Sequence, residues 1–408
     1  MAETIVVTGL GAVSALGLGA AENWRAARAG EGGIAPHLFE PGPHGPAPVT
    51  TPAALVKGDA VAALETALGR RIGGSLDPFA IYALLAAHEA LAQAGLLGAP
   101  LGSRAAVVMG NGIGGLQTLE KAYERFFGLK ATKVHPLTVP RVMVSAPVSA
   151  IAMEFGATGP VFATSSACAS SGHAVAQGAA LIAAGLADIA VVGGSEAMAS
   201  PAGMRSWEGL QAMSPTTCRP FSSGRDGMII GEGGAALVLE RQSSARARGA
   251  PALATWAGAG LSSDAFHWTQ PSLEGTMAAM RQACEPAGLL EAREVLISSH
   301  GTGTPLNDKN EAAALRGLFG ARADAHPVIA TKSAHGHVIG GSAALQAVIA
   351  LMALAAGEAP PILNYLGADP ECDLDLVLGQ ARPIGATSLL VNAFAFGGLN
   401  VSLAFVKA

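Results

Sequence analysis

The pattern of the first half of this chain returns in the second, and that repeat limits the folds open to it. Ala254–Leu261 (ATWAGAGL) echoes Val6–Val13 (VVTGLGAV). Val295–Ser299 runs into HGTGTP as Ala105–Met109 runs into GNGIGG. Val328–Thr331 leads through Lys332 into a small-residue helix, as Val161–Thr164 leads into one at Cys168. Leu389–Ala393 ends in a Gly-Gly turn, as Ile189–Val192 does. Alternating strands and helices in two matching runs predict a duplicated α/β unit, two half-domains facing each other. The basic tail Arg241–Gly249 ahead of Pro251 is the expected seam, giving halves 1–250 and 251–408. The two small-residue helices are then pseudo-symmetry partners at the centre, which accounts for how apolar both are.

Composition fits a large buried core: half of the 408 residues are hydrophobic, only 13% are charged, and 53 are glycine. A net charge of −5 without a long basic block argues against nucleic acid as a partner. The four cysteines (Cys168, Cys218, Cys284, Cys372) are far apart and form no CxxC pair, so neither a disulfide framework nor a structural zinc site is expected. They fit a reducing compartment, the cytoplasm. The N-terminus opens on a strand, with no basic-then-apolar secretory pattern. Val338–Gly357 is uncharged over twenty residues, long enough for a membrane span. It carries Ser342, Gln346 and glycines, lacks flanking aromatic or basic anchors, and is apolar all round, so it reads as a buried central helix. Residues 34–52, rich in Pro, Gly and His, read as an irregular surface loop. Asp77–Gly95 reads as a helix with an Asp cap and Pro in its first turn, and Arg141–Phe155 as a helix broken at Pro147.

Chemistry concentrates in Val161–Val175, VFATSSACASSGHAV. A short strand gives way to small hydroxyl residues, then Cys168, then a helix of Ala, Gly and Ser. A cysteine at a strand-to-helix junction faces unpaired N–H groups and the positive end of the helix dipole, which predicts a thiol pushed toward thiolate. The alternative is a small buried structural cysteine. Three further stretches end strands in glycine: SSHGTGTPLND with His300, ATKSAHGHVIGG with Lys332, His335 and His337, and VNAFAFGGLN with Phe394 and Phe396. Strand ends followed by glycine are where α/β proteins gather their sites. Taken singly, His300 and His337 read as core or turn histidines, Lys332 as a helix cap or a partner of Glu311 or Asp308, His335 as structural or pocket-lining, and Phe396 as core. Together with Cys168 they suit one reaction: a thiolate takes an acyl group, backbone N–H groups at Cys168 and near Phe396 form an oxyanion site, and two neutral imidazoles hold the enolate of a second thioester that loses CO2.

In this combination the motifs resemble the β-ketoacyl-ACP synthases of the synthase I/II type, with the thiolase-like α-β-α-β-α layered fold, over essentially the whole chain. The resemblance implies Cys168 as acyl acceptor, His300 and His337 as the histidine pair, and Lys332 as the accompanying lysine. It implies Phe396 as gate over the cysteine with Phe394 beside it, and Ile113 and Trp207 at the acyl pocket. It further implies a homodimer or a pairing with a similar chain lacking the cysteine, acyl carrier protein as substrate carrier, and no metal or organic cofactor. The carrier contacts fall on Arg70 and Arg71, or on Lys130 and Lys133. The chain departs from that pattern at Gln346, where Glu is usual, at His335, where Thr is more usual, and at Trp207, where Phe is common. MRSWEGLQAMSPTTCRPFSSGRDGM is similar to specialised synthases of the nodulation-factor or polyene types. A thiolase would need a second cysteine in the C-terminal glycine loop, which here reads AFGGLN. A synthase III would carry Asn in place of His337. The rival of another class is a non-catalytic partner subunit that shapes the pocket of a second chain; the presence of Cys168, His300, Lys332 and His337 speaks against it.

Overall fold

Ten strands join in one sheet in the computed structural model, which describes residues 3–43, 45–72 and 74–408. The first half supplies β1 (Ile5–Val13), β2 (Ala105–Gly110), β3 (Val161–Thr164), β4 (Ile189–Glu196) and β5 (Gly233–Arg241). The second supplies β6 (Ala254–Ser263), β7 (Val295–Ser298), β8 (Val328–Ile329), β9 (Ser388–Ala395) and β10 (Leu399–Lys407). Outward from the centre, the first half runs β1-β5-β4-β2-β3 and the second β6-β10-β9-β7-β8, the same order displaced by five strands. Directions repeat as well: the two pairs nearest the centre in each half are antiparallel and the outer two are parallel. Each strand echo read from the sequence therefore falls on topologically equivalent strands. Between the halves the ladder is short, pairing Val6 with Thr255 and Val7 with Ala254.

The parallel strands are continuous apolar runs, as strands covered on both faces must be. Helices α1 (Pro78–Gln93) and α2 (Ala146–Phe155) cover the outside of the first half. Later in the chain come α3 (Ser170–Ala183), α4 (Leu273–Cys284), α5 (Pro305–Phe319) and α6 (Ser342–Ala356). Of these, α4 and α5 cover the outside of the second half. Between the halves α3 packs on α6, and their small side chains share one core with the inner face of the sheet in both halves. The result is the layered α-β-α-β-α arrangement. Close approach needs the missing side chains: a Cβ on Gly172 of α3 would lie 2.5 Å from Val401 Cγ1 of β10. The apolar run that ends in α6 is long enough to cross a membrane by composition, yet 83% of it is buried inside the protein. Each of its buried leucines contributes about 2 kcal/mol of apolar burial.

Two local expectations need correction. Residues 34–52 hold a two-stranded antiparallel ribbon, Ala35–Phe39 against Val49–Ala53. Phe39 and Ala53 bury against Trp207, Met198 and Met204, and that packing overrides the turn-rich composition. The break before α2 lies at residues 143–145, after a short helix Thr138–Val142, and Pro147 sits in the first turn of α2, where its missing N–H costs nothing.

Candidate active site

Cys168 stands on a tight 3₁₀ turn, Ala167–Ala169, between β3 and α3. The small hydroxyl residues stitch this elbow: Thr164 Oγ1 donates to the Ser170 carbonyl at 2.9 Å, Ser170 Oγ to the Ala167 carbonyl at 2.6 Å, and Ser166 N–H to Ser170 Oγ at 2.8 Å. The turn opens with Ala167 at φ 48°. The sulfur is buried, with the backbone N–H groups of Cys168 and Phe396 placed to favour its anion. Contrary to the sequence expectation, burial raises the thiol to about 11; the Lys332 charge and the two N–H groups pull it down without prevailing. Burial thus favours the neutral thiol of Cys168.

His337 follows the short helix Lys332–His335 and Gly336, and its backbone N–H donates to the Ile229 carbonyl at 2.6 Å. Its Nε2 lies 3.1 Å from Cys168 Sγ. The Ile339 N–H donates to its Nδ1 at 3.1 Å, and Ser342 Oγ lies 2.8 Å from the same atom. An Nδ1 that accepts from a backbone N–H carries no proton, so the ring hydrogen is on Nε2, facing the sulfur. His300 follows β7, with its ring 5.5 Å from that of His337 and nearly perpendicular to it. Lys332 Nζ donates to the His300 carbonyl and lies 3.3 Å from Nδ1, which fixes the same tautomer. Burial first and the Lys332 charge second hold both imidazoles well below their ordinary basicity, so both are neutral. Ligand atoms of Cys168, His300 and His337 lie within 4.8 Å of one another. With both other ring nitrogens acting as acceptors, however, the pair presents N–H donors rather than the lone pairs a metal requires.

One cavity reaches this cluster, lined among others by Cys168, His300, His337, Phe394, Phe396 and Trp207. The Phe394 ring packs 5.9 Å from the His300 ring, while Phe396 is 36% exposed at the mouth. On the rim, Trp268 is 84% exposed, and its carbonyl accepts from the Gly397 N–H at 2.7 Å. Lys332 lies behind His300 and does not line the cavity. Its ammonium is directed at the His300 carbonyl, His300 Nδ1 and Gln346 Oε1, the last at 2.7 Å. It does not pair with Glu311 or Asp308. Glu311 accepts from the backbone of His300 and Gly301 at 2.8 and 2.9 Å, and Asp308 from that of Phe221 and Thr302 at 2.8 and 3.1 Å. The Gln346 amide completes its own ties by donating to the Ser299 carbonyl at 2.6 Å. His335 Nε2 is 2.9 Å from Thr331 Oγ1, and burial lowers its basicity to about 3; it supports the turn and stays outside the cavity.

Other expected residues lie elsewhere. Ile113 is 48% exposed on the glycine turn after β2 and does not line the cavity. Lys130 and Lys133 are exposed beside exposed Phe126, Phe127 and Leu129, Arg70 pairs with Glu154 of α2, and Arg71 is exposed; none of the four lines the cavity. Sequence reasoning missed Ser342 and Ile339, which set the His337 tautomer, and missed that Glu311 anchors the backbone of His300. The signal for Glu311 was its place in α5, eleven residues beyond His300.

Residues 2–245 match the family description "Beta-ketoacyl synthase, N-terminal domain" and residues 253–366 match "Beta-ketoacyl synthase, C-terminal domain". The chain belongs to the β-ketoacyl synthase family. Among curated relatives it is 38% identical to "Nodulation protein E" of Rhizobium meliloti (strain 1021), covering 99% of both chains. It is 32% identical to "3-oxoacyl-[acyl-carrier-protein] synthase 2" of Staphylococcus aureus (strain COL), covering 99% of this chain and 98% of that one. Among solved structures it superposes on "The ishigamide ketosynthase/chain length factor" with a TM-score of 0.91 at 30% identity over all of both chains. A β-ketoacyl synthase from Burkholderia phymatum STM815 gives 0.87 at 30%, again over all of both chains.

Proposed function

We propose that this chain is a 3-oxoacyl-[acyl-carrier-protein] synthase, an acyltransferase that condenses an enzyme-bound acyl group with malonyl-ACP. The observation that carries the reading is the contact of Cys168 Sγ with His337 Nε2 at 3.1 Å, in a cavity where both histidines present N–H. In the first step the Cys168 thiolate attacks the carbonyl carbon of an acyl-ACP; the carrier thiolate leaves and takes up the proton that Cys168 gave up. Malonyl-ACP then enters with its thioester oxygen between the two Nε2–H groups. Its carboxylate leaves as CO2, and the electrons of that bond form an enolate whose charge the two donors stabilise. The enolate carbon attacks the Cys168 thioester, whose oxygen faces the N–H groups of Cys168 and Phe396, and the cysteine leaves as thiolate. The products are 3-oxoacyl-ACP, CO2 and free ACP. Lys332 holds the His300 tautomer and supplies positive charge to the thiolate. Phe396 gates the cysteine with Phe394 beside it, Trp207 bounds the acyl pocket, and Ile113, outside this chain's own cavity, meets that pocket at the interface with the second chain.

Acyl carrier protein is the donor, and a second ketosynthase-like chain, identical or related, is the structural partner. Tyr123, Phe126, Phe127 and Leu129 form an exposed apolar run that offers a contact surface for such a partner. One of the structural neighbours is titled a "type II PKS acyl-carrier protein in complex with its ketosynthase", at 25% identity and a TM-score of 0.85. The four free cysteines fit a cytoplasmic setting. Intact mass after incubation with a panel of acyl-ACPs, without malonyl-ACP, tests the reading. An acyl mass gain on Cys168, absent from Cys168→Ala, is the expected result. No gain with any acyl group, alone or with a partner chain, sinks it in favour of a non-catalytic subunit.

A further inference from the structure

Gln346 has no part in the reaction above, yet it holds the lysine that lends the site its charge. It lies on α6 and is fully buried. Its two ends meet opposite demands. Oε1 accepts from Lys332 Nζ at 2.7 Å, while Nε2 donates to the Ser299 carbonyl at 2.6 Å and faces the Asn392 carbonyl at 3.4 Å. An ammonium offers only donors and a carbonyl only an acceptor, so this slot takes an amide in one orientation. A carboxylate there would set oxygen against two carbonyls, and a hydrocarbon would leave all three partners unmet. Through these ties Gln346 grips the peptide on each side of His300: the Ser299 carbonyl directly, and the His300 carbonyl by way of Lys332.

The charges around Lys332 decide what this neutral contact does. From α5 come Glu311 and Asp308, whose carboxylates accept from backbone N–H groups. The other titratable groups facing the ammonium are Cys168 on the elbow, Cys218, and the imidazoles of His300, His335 and His337. The Cys168 sulfur also faces Glu196 of β4. The side-chain and backbone atoms that meet the ammonium directly are all neutral: the His300 carbonyl, His300 Nδ1 and Gln346 Oε1. Its charge is therefore uncancelled at contact, and it acts on the sulfur and on both imidazoles. We propose that Gln346 is a positioning residue that seats Lys332 against His300 without supplying a counter-charge, so that the lysine's charge stays available to the Cys168 sulfur during acyl transfer. The proposal rests on the reading of Cys168 and the histidine pair as the reacting groups.

The test compares the wild type with Gln346→Glu, Lys332→Met, their double variant and Gln346→Met, all full-length. Alkylation by iodoacetamide, read on the Cys168 peptide by mass between pH 7 and 10, needs no acyl chemistry. Glutamate keeps the contact with Lys332 and opposes its charge, so alkylation at pH 7 should slow about threefold and the profile should move to higher pH. In the Lys332→Met background the same substitution should change the rate little, because a buried carboxyl without a cation takes up a proton and donates to the Ser299 carbonyl. An unchanged or faster rate in Gln346→Glu, or an equal slowing with and without Lys332, overturns the proposal and leaves Gln346 a packing residue.

Gln346→Met tests the seat. It removes the acceptor while keeping the length of the side chain, and Lys332 loses one of its ties beside His300. Malonyl-ACP decarboxylation, which uses His300, should fall about tenfold, and acyl loading on Cys168, which does not, should fall less. An equal fall in both, or none in decarboxylation, overturns the seat. If the wild type neither loads acyl groups nor decarboxylates malonyl-ACP, the proposed function fails, and the alkylation series still decides whether Gln346 spares the charge of Lys332. Should Gln346→Glu not fold, Gln346→Met carries the proposal through its ratio of decarboxylation to loading.

Discussion

The two central helices begin alike and are approached differently. Helix α3 is preceded by the turn Ala167–Ala169 and α6 by the turn Ile339–Gly341. Each turn opens on a non-glycine residue with positive φ, Ala167 at 48° and Ile339 at 37°. Aligned on the turns, Cys168 and Gly340 are counterparts. In the first half only residues 165–166 separate β3 from its turn, so the strand delivers the thiol directly to the elbow. In the second half residues 330–338 intervene, and this longer approach holds Lys332 and His337. Duplication supplied one frame twice. One copy carries cysteine at the elbow; the other carries glycine there and a longer approach that holds Lys332 and His337.

Breaking the second half's contribution should cost most. His337→Ala is expected to load acyl groups on Cys168 but to lower malonyl decarboxylation and condensation by about 10²–10³-fold, the usual price of an oxyanion donor. Loading at the wild-type level with normal release of CO2 from malonyl-ACP would remove His337 from the reaction. Gly340→Ala tests the counterpart position. A Cβ there would run into the backbone of Gly112 and Asn111, so it should destabilise the protein by about 3 kcal/mol in denaturant unfolding. A wild-type midpoint would show that the second elbow does not need glycine against the turn after β2.

Smaller effects sharpen the electrostatic side of the comparison. Lys332→Met removes the cation that lowers the thiol, so Cys168 should be alkylated by iodoacetamide several-fold more slowly at pH 8. An equal or faster rate would deny Lys332 that influence. In the wild type the thiol is held near 11, above the usual cysteine range, so alkylation should climb by up to about tenfold per pH unit between neutral pH and pH 10. A plateau near pH 7 would mean that the sequence expectation of a preformed thiolate was right after all.

Legibility followed the range of the forces involved. Strand identity and the repeat depend on local apolar runs, and Ala105–Met109 and Leu389–Ala393 could be matched to their partners without coordinates. Cys168, His300, Lys332 and His337 were readable because each lies in a segment of small residues that follows a strand, and the cavity brings three of them together with Lys332 behind. The basicity of the thiol was not readable: proximity to a helix start is a local cue, whereas desolvation depends on everything packed over the sulfur. The ribbon at 35–53 was missed for the same reason, its stability coming from Trp207 and two methionines distant in sequence. Ile113 lies on an exposed face and outside the cavity, a placement that the glycine turn around it gave no cue to.

The short ladder at Val6 and Val7 has a mechanical meaning. With so little backbone pairing across the midline, alignment of the halves is borne by side-chain packing, in which α6 of the second half lies against α3, β4 and β5 of the first. Cys168 is carried by the first half and the two imidazoles by the second. A slip of a few tenths of an ångström along that joint would silence the enzyme while leaving its spectroscopic signature of folding intact, so turnover is a finer gauge of the seam than any melting curve.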